Sequence, residues 1–180
     1  MLYTGKGDKG DTGLFGKRER VSKASDITEA LGALDECNAY LGLCRAEAKD
    51  FKNDINIIEI LHTIQRDLFI IQAHVAGAPK NMQKEKVTEL ENITNTVEEK
   101  LPKIESFSVS GNSLLSAKLD VARTLVRKAE RRVVLLDDSE DINIQEEVLA
   151  YLNRLSSVLF ALTRYTEHLE GAERESPTYM

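Results

Sequence analysis

Proline is nearly missing: Pro79, Pro102 and Pro177 are the whole supply in 180 residues. Proline ends or kinks helices, so the long proline-free stretches are able to stay helical, and an all-α fold is expected. Glycine is scarce beyond the front of the chain, where seven of the ten precede position 43. The only cysteines, Cys37 and Cys44, are one heptad apart. On a helix that spacing is about 10 Å along the axis, too far for a disulfide. They are expected as buried thiols filling a core in a reducing compartment. No apolar run reaches the length of a membrane span, and residues 1–20 hold no apolar signal segment. A cytoplasmic protein with no membrane partner is therefore expected. The formal net charge of −6 argues against nucleic acid as a partner.

Hydrophobic residues make up 42% and charged residues 30% of the chain, the balance of a globular protein large enough to bury a core. One domain is expected over 1–180, with a flexible segment over 1–24, a helix bundle over 25–170 and a tail over 171–180. Five helical patterns follow one another. The first runs from about 26 to 48 after Ser25 or Asp26 as N-cap. Its apolar stripe is Ile27, Leu31, Leu34, Leu41 and Cys44, diluted by Ala30, Gly32, Ala33, Ala39 and Gly42. The second covers about 54–76, with Ile57, Leu61, Ile64, Leu68, Ile71 and Val75 at spacings of three and four. A polar third, about 85–101, stops at Pro102. A fourth begins after Asn112 or Ser113 and reaches about 136, and a fifth covers about 145–170. Several long helices with short connections predict an antiparallel five-helix bundle with an irregular glycine-rich N-terminal segment.

That segment, "YTGKGDKGDTG" over 3–13, packs four glycines, two lysines and two aspartates together. Gly5, Gly7 and Gly10 satisfy GxGxxG, but no strand leads into them and no helix opens from them, so it is not a dinucleotide fingerprint. No Gly-Lys-Ser/Thr closes it as a Walker loop. What remains is a glycine-rich backbone able to turn several N–H groups onto an anion, with lysines adding positive charge. A frayed, solvated terminus is the bland alternative.

The fourth helix carries two stripes. Leu115, Leu119, Ala122, Val126, Ala129, Val133 and Leu136 make an ordinary core face. Beside it run Asp120, Arg123, Arg127, Glu130 and Arg131, with Lys128 just off the line. Guanidinium forks grip phosphate oxygens bidentately, so the stripe fits either an oligophosphate site or a salt-bridged surface. Glu130 is placed to orient an arginine or reach a metal ion. The fifth helix has a core stripe of Val148, Leu152, Leu155, Leu159, Leu162 and Thr166. Asn153, Ser156, Phe160 and Arg164 lie on an adjacent line. Asn153, a poor helix former in mid-helix, reads as a satisfied buried amide or as a ligand contact. Asp35, in mid-helix with no cap to make, calls for a cationic partner among the fourth-helix arginines, within the chain or across a subunit boundary.

In order along the chain, "YTGKGDKGDTGLFG", "RVSK", "EALGALDECNAYLGL", "IQRDLF", "VARTLVRKAERRV" and "YLNRLSSVLF" resemble the ATP:cob(I)alamin adenosyltransferases of the trimeric helix-bundle type. The resemblance covers nearly the whole chain and is poorest in the third helix. It implies a homotrimer with each active site between two subunits. ATP would lie against the leader of one chain and the fourth helix of its neighbour. The cobalt of cob(I)alamin would attack C5′ of ATP and displace triphosphate, with Mg²⁺ on the phosphates and no general base required. Carried over by motif, Thr4, Gly5, Lys6, Gly7, Thr12, Gly13 and Lys23 line the nucleotide. Arg127, Lys128, Glu130, Arg131 and Asn153 join them from the fourth and fifth helices. Asp35 and Arg123 look like the intersubunit salt bridge, and Phe107 matches the aromatic that keeps cobalamin's lower ligand off the metal. The leader would be flexible until it closes over ATP. A cobalamin reductase and an adenosylcobalamin-dependent enzyme are the implied protein partners. The chain departs from the family pattern at Gly5, at "SVSGN" before the fourth helix and at Asp120. A non-catalytic ATP-binding helical sensor or scaffold is the competing reading, and a purely structural bundle a third.

Overall fold

The computed structural model describes residues 2–16, 19–51, 54–104, 108–139, 142–172 and 175–178. Two short strands, β1 (Asp11–Gly13) and β2 (Arg20–Ser22), precede α1 (Asp26–Glu47), α2 (Ile57–Val75), α3 (Lys84–Glu98), α4 (Leu114–Asp138) and α5 (Glu146–Leu169). The leader, expected to be irregular, thus contains an antiparallel hairpin that pairs Asp11 with Ser22 and Gly13 with Arg20.

Helix starts follow local chemistry. Ser113 caps α4 through a reciprocal box, its Oγ accepting from Ser116 N at 3.3 Å while Ser116 Oγ accepts from Ser113 N at 3.0 Å. Asn56 caps α2 by accepting from Glu59 N at 3.2 Å. Ser25 occupies the N-cap position of α1, but its hydroxyl donates back to Ser22 O at 2.8 Å. That bond ties the first helix to the hairpin instead of capping it.

The expected core stripes of α2, α4 and α5 are buried along their whole length. In α1, Leu34, Leu41 and Cys44 are buried while Ile27 and Leu31 are only partly so. Ala30 and Ala33 fill the gap with small side chains and let α4 approach. Truncating a fully buried residue such as Leu119 to Ala would cost about 2–5 kcal/mol. Burial pushes both thiols, Cys37 and Cys44, up to about 12, which suits inert core fillers.

Pairings between helices fix their directions. Glu47, Glu36 and Glu29 of α1 meet Lys118, Lys128 and Arg132 of α4 in reverse order, so these helices are antiparallel. α4 and α5 run antiparallel as well, with Asn153 on Glu130 and Asn112 on Glu167. α3 and α5, however, are parallel neighbours: Met82 meets Gln145, Glu91 meets Arg154 and Pro102 meets Arg164. Where α2, α3 and α5 meet, buried Asp67 accepts from Tyr151 Oη at 3.0 Å and has Lys86 Nζ 3.6 Å away. Burial raises the Asp67 carboxyl above the ordinary range, against the opposing pull of Tyr151 and Lys86.

Candidate active site

α4 sorts its cations onto two flanks of the core stripe. On the flank toward α1, Lys128 meets Glu36 at 2.7 Å, Arg132 meets Glu29 at 3.6 Å, and Lys118 pairs with Glu47. On the other flank Arg123 donates to Asp120 at 3.0 Å and lies over the Phe160 ring, 5.9 Å from its centroid. Arg127 and Arg131 follow at four-residue spacing, exposed, and neither has an acidic partner among the described residues. Two guanidinium groups one helical turn apart, without acidic partners among the described residues, have the chemistry to engage one anion together.

Arg123 and Arg127 also edge a cavity of about 550 Å³, within the range of small-molecule sites. α3 contributes Thr94 and Glu98, the segment before α4 contributes Ile104 and Ser108 to Ser110, and α5 contributes Ser156, Phe160, Thr163 and Glu167. The lining is mixed, with Phe160, Ile104 and Val109 apolar among hydroxyls and charges. Two bonds brace its walls: Asn112 Nδ2 donates to Glu167 Oε1 at 2.9 Å, and Arg164 Nη2 donates to Pro102 O at 2.5 Å. Beyond α5, the tail supports the same wall where Glu175 O accepts from Val109 N at 2.8 Å.

The leader lies elsewhere on the chain. Leu14 and Val21 line a hollow with Ile27 of α1, Leu136 of α4 and Ile142. Leu136 is roughly 13 Å beyond Arg127 along α4, at about 1.5 Å per residue. Among the described residues no hydrogen bond or ion pair joins the leader to Arg127 or Arg131. Within the leader, Arg20 grips Asp11 with Nε to Oδ2 at 2.8 Å and Nη2 to Oδ1 at 2.9 Å. The Arg20 hydrogen bond holds the Asp11 carboxyl below the ordinary range. Lys23 Nζ donates to Gly7 O at 2.9 Å. Gly5 and Gly10 take positive φ of 67° and 81°, conformations that glycine adopts without strain.

The residues singled out from sequence therefore fall into two groups. Thr4, Gly5, Lys6, Gly7, Thr12, Gly13 and Lys23 share the leader turn and hairpin. Arg123, Arg127, Glu130, Arg131 and Asn153 share the open flank of α4 and α5. Lys128 lies on the opposite flank, engaged by Glu36. Asn153 is not a buried amide: it is exposed, donates to Glu130 Oε1 at 3.1 Å and accepts from Arg154 Nη1 at 2.8 Å. Asp35 is exposed on α1 without a cationic partner among the described residues, so α4 of the same chain does not supply one. Phe107 lies outside the described residues. Sequence reasoning missed Arg20 and the cavity wall from Ser108 to Ser110; a basic residue opening "RVSK" was the one available sign of the first.

The sequence model of the family described as cobalamin adenosyltransferase matches residues 2–166. The chain belongs to that family. This cobalamin adenosyltransferase family member is 38% identical over 174 residues to the corrinoid adenosyltransferase of Bacillus subtilis (strain 168), an alignment covering 94% of this chain and 88% of the relative. It is also 38% identical over 174 residues to the corrinoid adenosyltransferase PduO of Citrobacter freundii, covering 93% of this chain but 50% of that longer protein. The chain thus spans about half the length of the PduO relatives it matches. Among solved structures, a phenylalanine-to-alanine variant of the PduO-type ATP:corrinoid adenosyltransferase from Lactobacillus reuteri, complexed with cobalamin and ATP, superposes with a TM-score of 0.88 at 29% identity. That match covers 99% of this chain and 100% of the other.

Proposed function

We propose that the protein transfers the 5′-deoxyadenosyl group of ATP to the cobalt of cob(I)alamin, releasing triphosphate and forming adenosylcobalamin. The observation that carries this reading is the pair Arg127 and Arg131, without carboxylate partners among the described residues and with Arg127 lining the cavity, on a helix whose other flank pairs its cations. Solved relatives complexed with cobalamin and ATP, and another complexed with ATP, support the substrate pair.

The reaction needs little acid–base help. The cobalt(I) lone pair of the substrate attacks C5′ and forms the Co–C bond. The C5′–O bond breaks, and its electron pair departs on the triphosphate. Negative charge therefore grows on the leaving oxygen, and fixed cations aimed there lower the barrier; one such donor is worth about 10²–10³ in rate. Arg127 and Arg131 are those cations on one chain. Lys6, Lys23 and the amides around Gly5, Gly7, Thr12 and Gly13 are the complementary set, with Thr4 beside them. Because the two sets lie apart within one chain, the reading places the leader of one protomer against α4 of the next in a homotrimer. Exposed Asp35 would meet Arg123 across that boundary, displacing its local partner Asp120. Phe69 and Leu43, 62% and 46% exposed, are apolar surface that a neighbouring protomer would cover.

Among the described residues no group of three or more His, Cys, Asp or Glu side chains could hold a metal. The described residues therefore offer no all-protein magnesium site, and the reading assigns Mg²⁺ to the ATP phosphates. Among the described residues no helix is long and apolar enough to cross a membrane. A cytoplasmic setting, with a cobalamin reductase supplying substrate and an adenosylcobalamin-dependent enzyme taking product, completes the proposal.

Incubation with ATP, Mg²⁺ and chemically reduced cobalamin tests it. The corrinoid spectrum should become that of adenosylcobalamin with stoichiometric triphosphate. ATP binding without either product would leave the non-catalytic sensor as the better description.

A further inference from the structure

We propose that Arg20 is a positioning residue for the nucleotide, acting as a clasp that holds the leader turn open toward phosphate instead of touching phosphate itself. The proposal rests on the ATP reading above. Its basis is where one guanidinium reaches. Arg20 Nη2 donates to Lys6 O at 2.9 Å and to Asp11 O at 3.0 Å, so a single nitrogen bridges the two ends of the turn between residues 6 and 11. The same side chain grips both carboxylate oxygens of Asp11. An ordinary exposed salt bridge contributes little because its partners are free to move. Here the fork is bidentate and two carbonyls are held as well, so four contacts set one geometry.

The consequence follows from peptide planarity. In a trans peptide the C=O and the next N–H point in opposite directions. With Lys6 O drawn inward by Arg20, the Gly7 N–H is aimed outward, and among the described residues it has no acceptor. Lys23 Nζ holds the next carbonyl, Gly7 O, from the same strand side. The turn's own backbone bonds are long, Asp8 N to Gly5 O at 3.3 Å and Gly10 N to Gly7 O at 3.2 Å. Positive φ at Gly5 and Gly10 makes the backbone there easy to deform. The clasp therefore supplies the rigidity that glycine withholds, and preorganisation of this kind appears as ligand affinity.

A double-mutant cycle on the intact protein separates positioning from direct contact. ATP binding is measured by calorimetry, and KM for ATP and for corrinoid by turnover, for Arg20→Ala, Asp11→Ala and the double variant. Each single variant should lose about five- to ten-fold in ATP affinity, the double variant no more than either, and the corrinoid KM should not move. Arg20→Lys keeps the charge but not the fork and should bind ATP within about two-fold of Arg20→Ala. The clasp is refuted if Asp11→Ala binds ATP as well as or better than wild type, if the two losses multiply, or if Arg20→Lys is fully active. Melting curves guard against misfolding, since the hairpin lies outside the helix core. Wild-type protein that bound no ATP would sink the functional reading itself, a separate outcome from any result of the cycle.

Discussion

The two flanks of α4 have similar composition and opposite fates. Toward α1, each of three cations meets a glutamate one helix away, and its charge is already engaged within the chain. On the other flank Arg127, at the cavity's edge, and Arg131, one turn on, are exposed and have no carboxylate partner among the described residues. Exposed ion pairs contribute little stability, about 0–1 kcal/mol, so neither flank is there chiefly to stabilise the monomer. The difference is availability. A cation that already has a carboxylate partner is a poor ligand for triphosphate, and one without a partner is poised for it.

Removing a cation from the open flank should have the largest effect. Arg127→Ala is expected to slow adenosyl transfer by about 10²–10³ while leaving the melting temperature unchanged. Retention of wild-type turnover would erase the distinction between the flanks. Asp35→Asn addresses the boundary that the open flank is proposed to face. Loss of one partner of a buried interfacial charge pair costs about 2–5 kcal/mol, so trimer mass in dilute solution and turnover should both fall. Unchanged mass and rate would remove the pairing with Arg123.

Asp67 offers a calibration inside the bundle, away from either flank. Asp67→Ala leaves the Tyr151 hydroxyl without its acceptor and should destabilise by about 1–3 kcal/mol in denaturant titrations. Because burial raises the Asp67 carboxyl, its neutral form favours the fold; that contribution is present at low pH and is lost as pH rises through the raised value. Wild type should therefore lose ground against Asp67→Asn as pH rises above about 4. A gap independent of pH would mean that the carboxyl titrates normally. The smallest effect belongs to the paired flank: Arg132→Ala should change stability by less than about 1 kcal/mol and leave turnover alone, a result read from melting curves and the same assay.

The helices were legible because burial repeats along one chain segment. Apolar residues at spacings of three and four located α2, α4 and α5 to within a few residues, and the Asn112–Ser113 pair announced the start of α4, with Ser113 the cap. Facts that join distant segments were not. Nothing local says that Lys128 will find Glu36 while Arg127, its neighbour in sequence, finds no carboxylate among the described residues; that depends on which way α1 lies across α4. The parallel pairing of α3 with α5 and the exposure of Asn153 are likewise set by packing. In the leader, glycine content suggested irregularity, yet strand pairing and the Arg20 fork build a hairpin that composition does not reveal. The family resemblance singled out residues of the leader and of α4, and passed over Arg20, whose fork joins Lys6 to Asp11.

Subunit complementation tests the central claim most directly. Arg127→Ala carries a damaged α4 and an intact leader; Lys23→Ala carries the reverse. Each alone should be nearly inactive. If the leader of one protomer completes the α4 site of another, co-refolding the two variants should create sites with both halves intact and restore a substantial fraction of wild-type adenosylcobalamin formation. If co-refolded mixtures stay as inactive as the separate variants, the two halves do not meet across subunits.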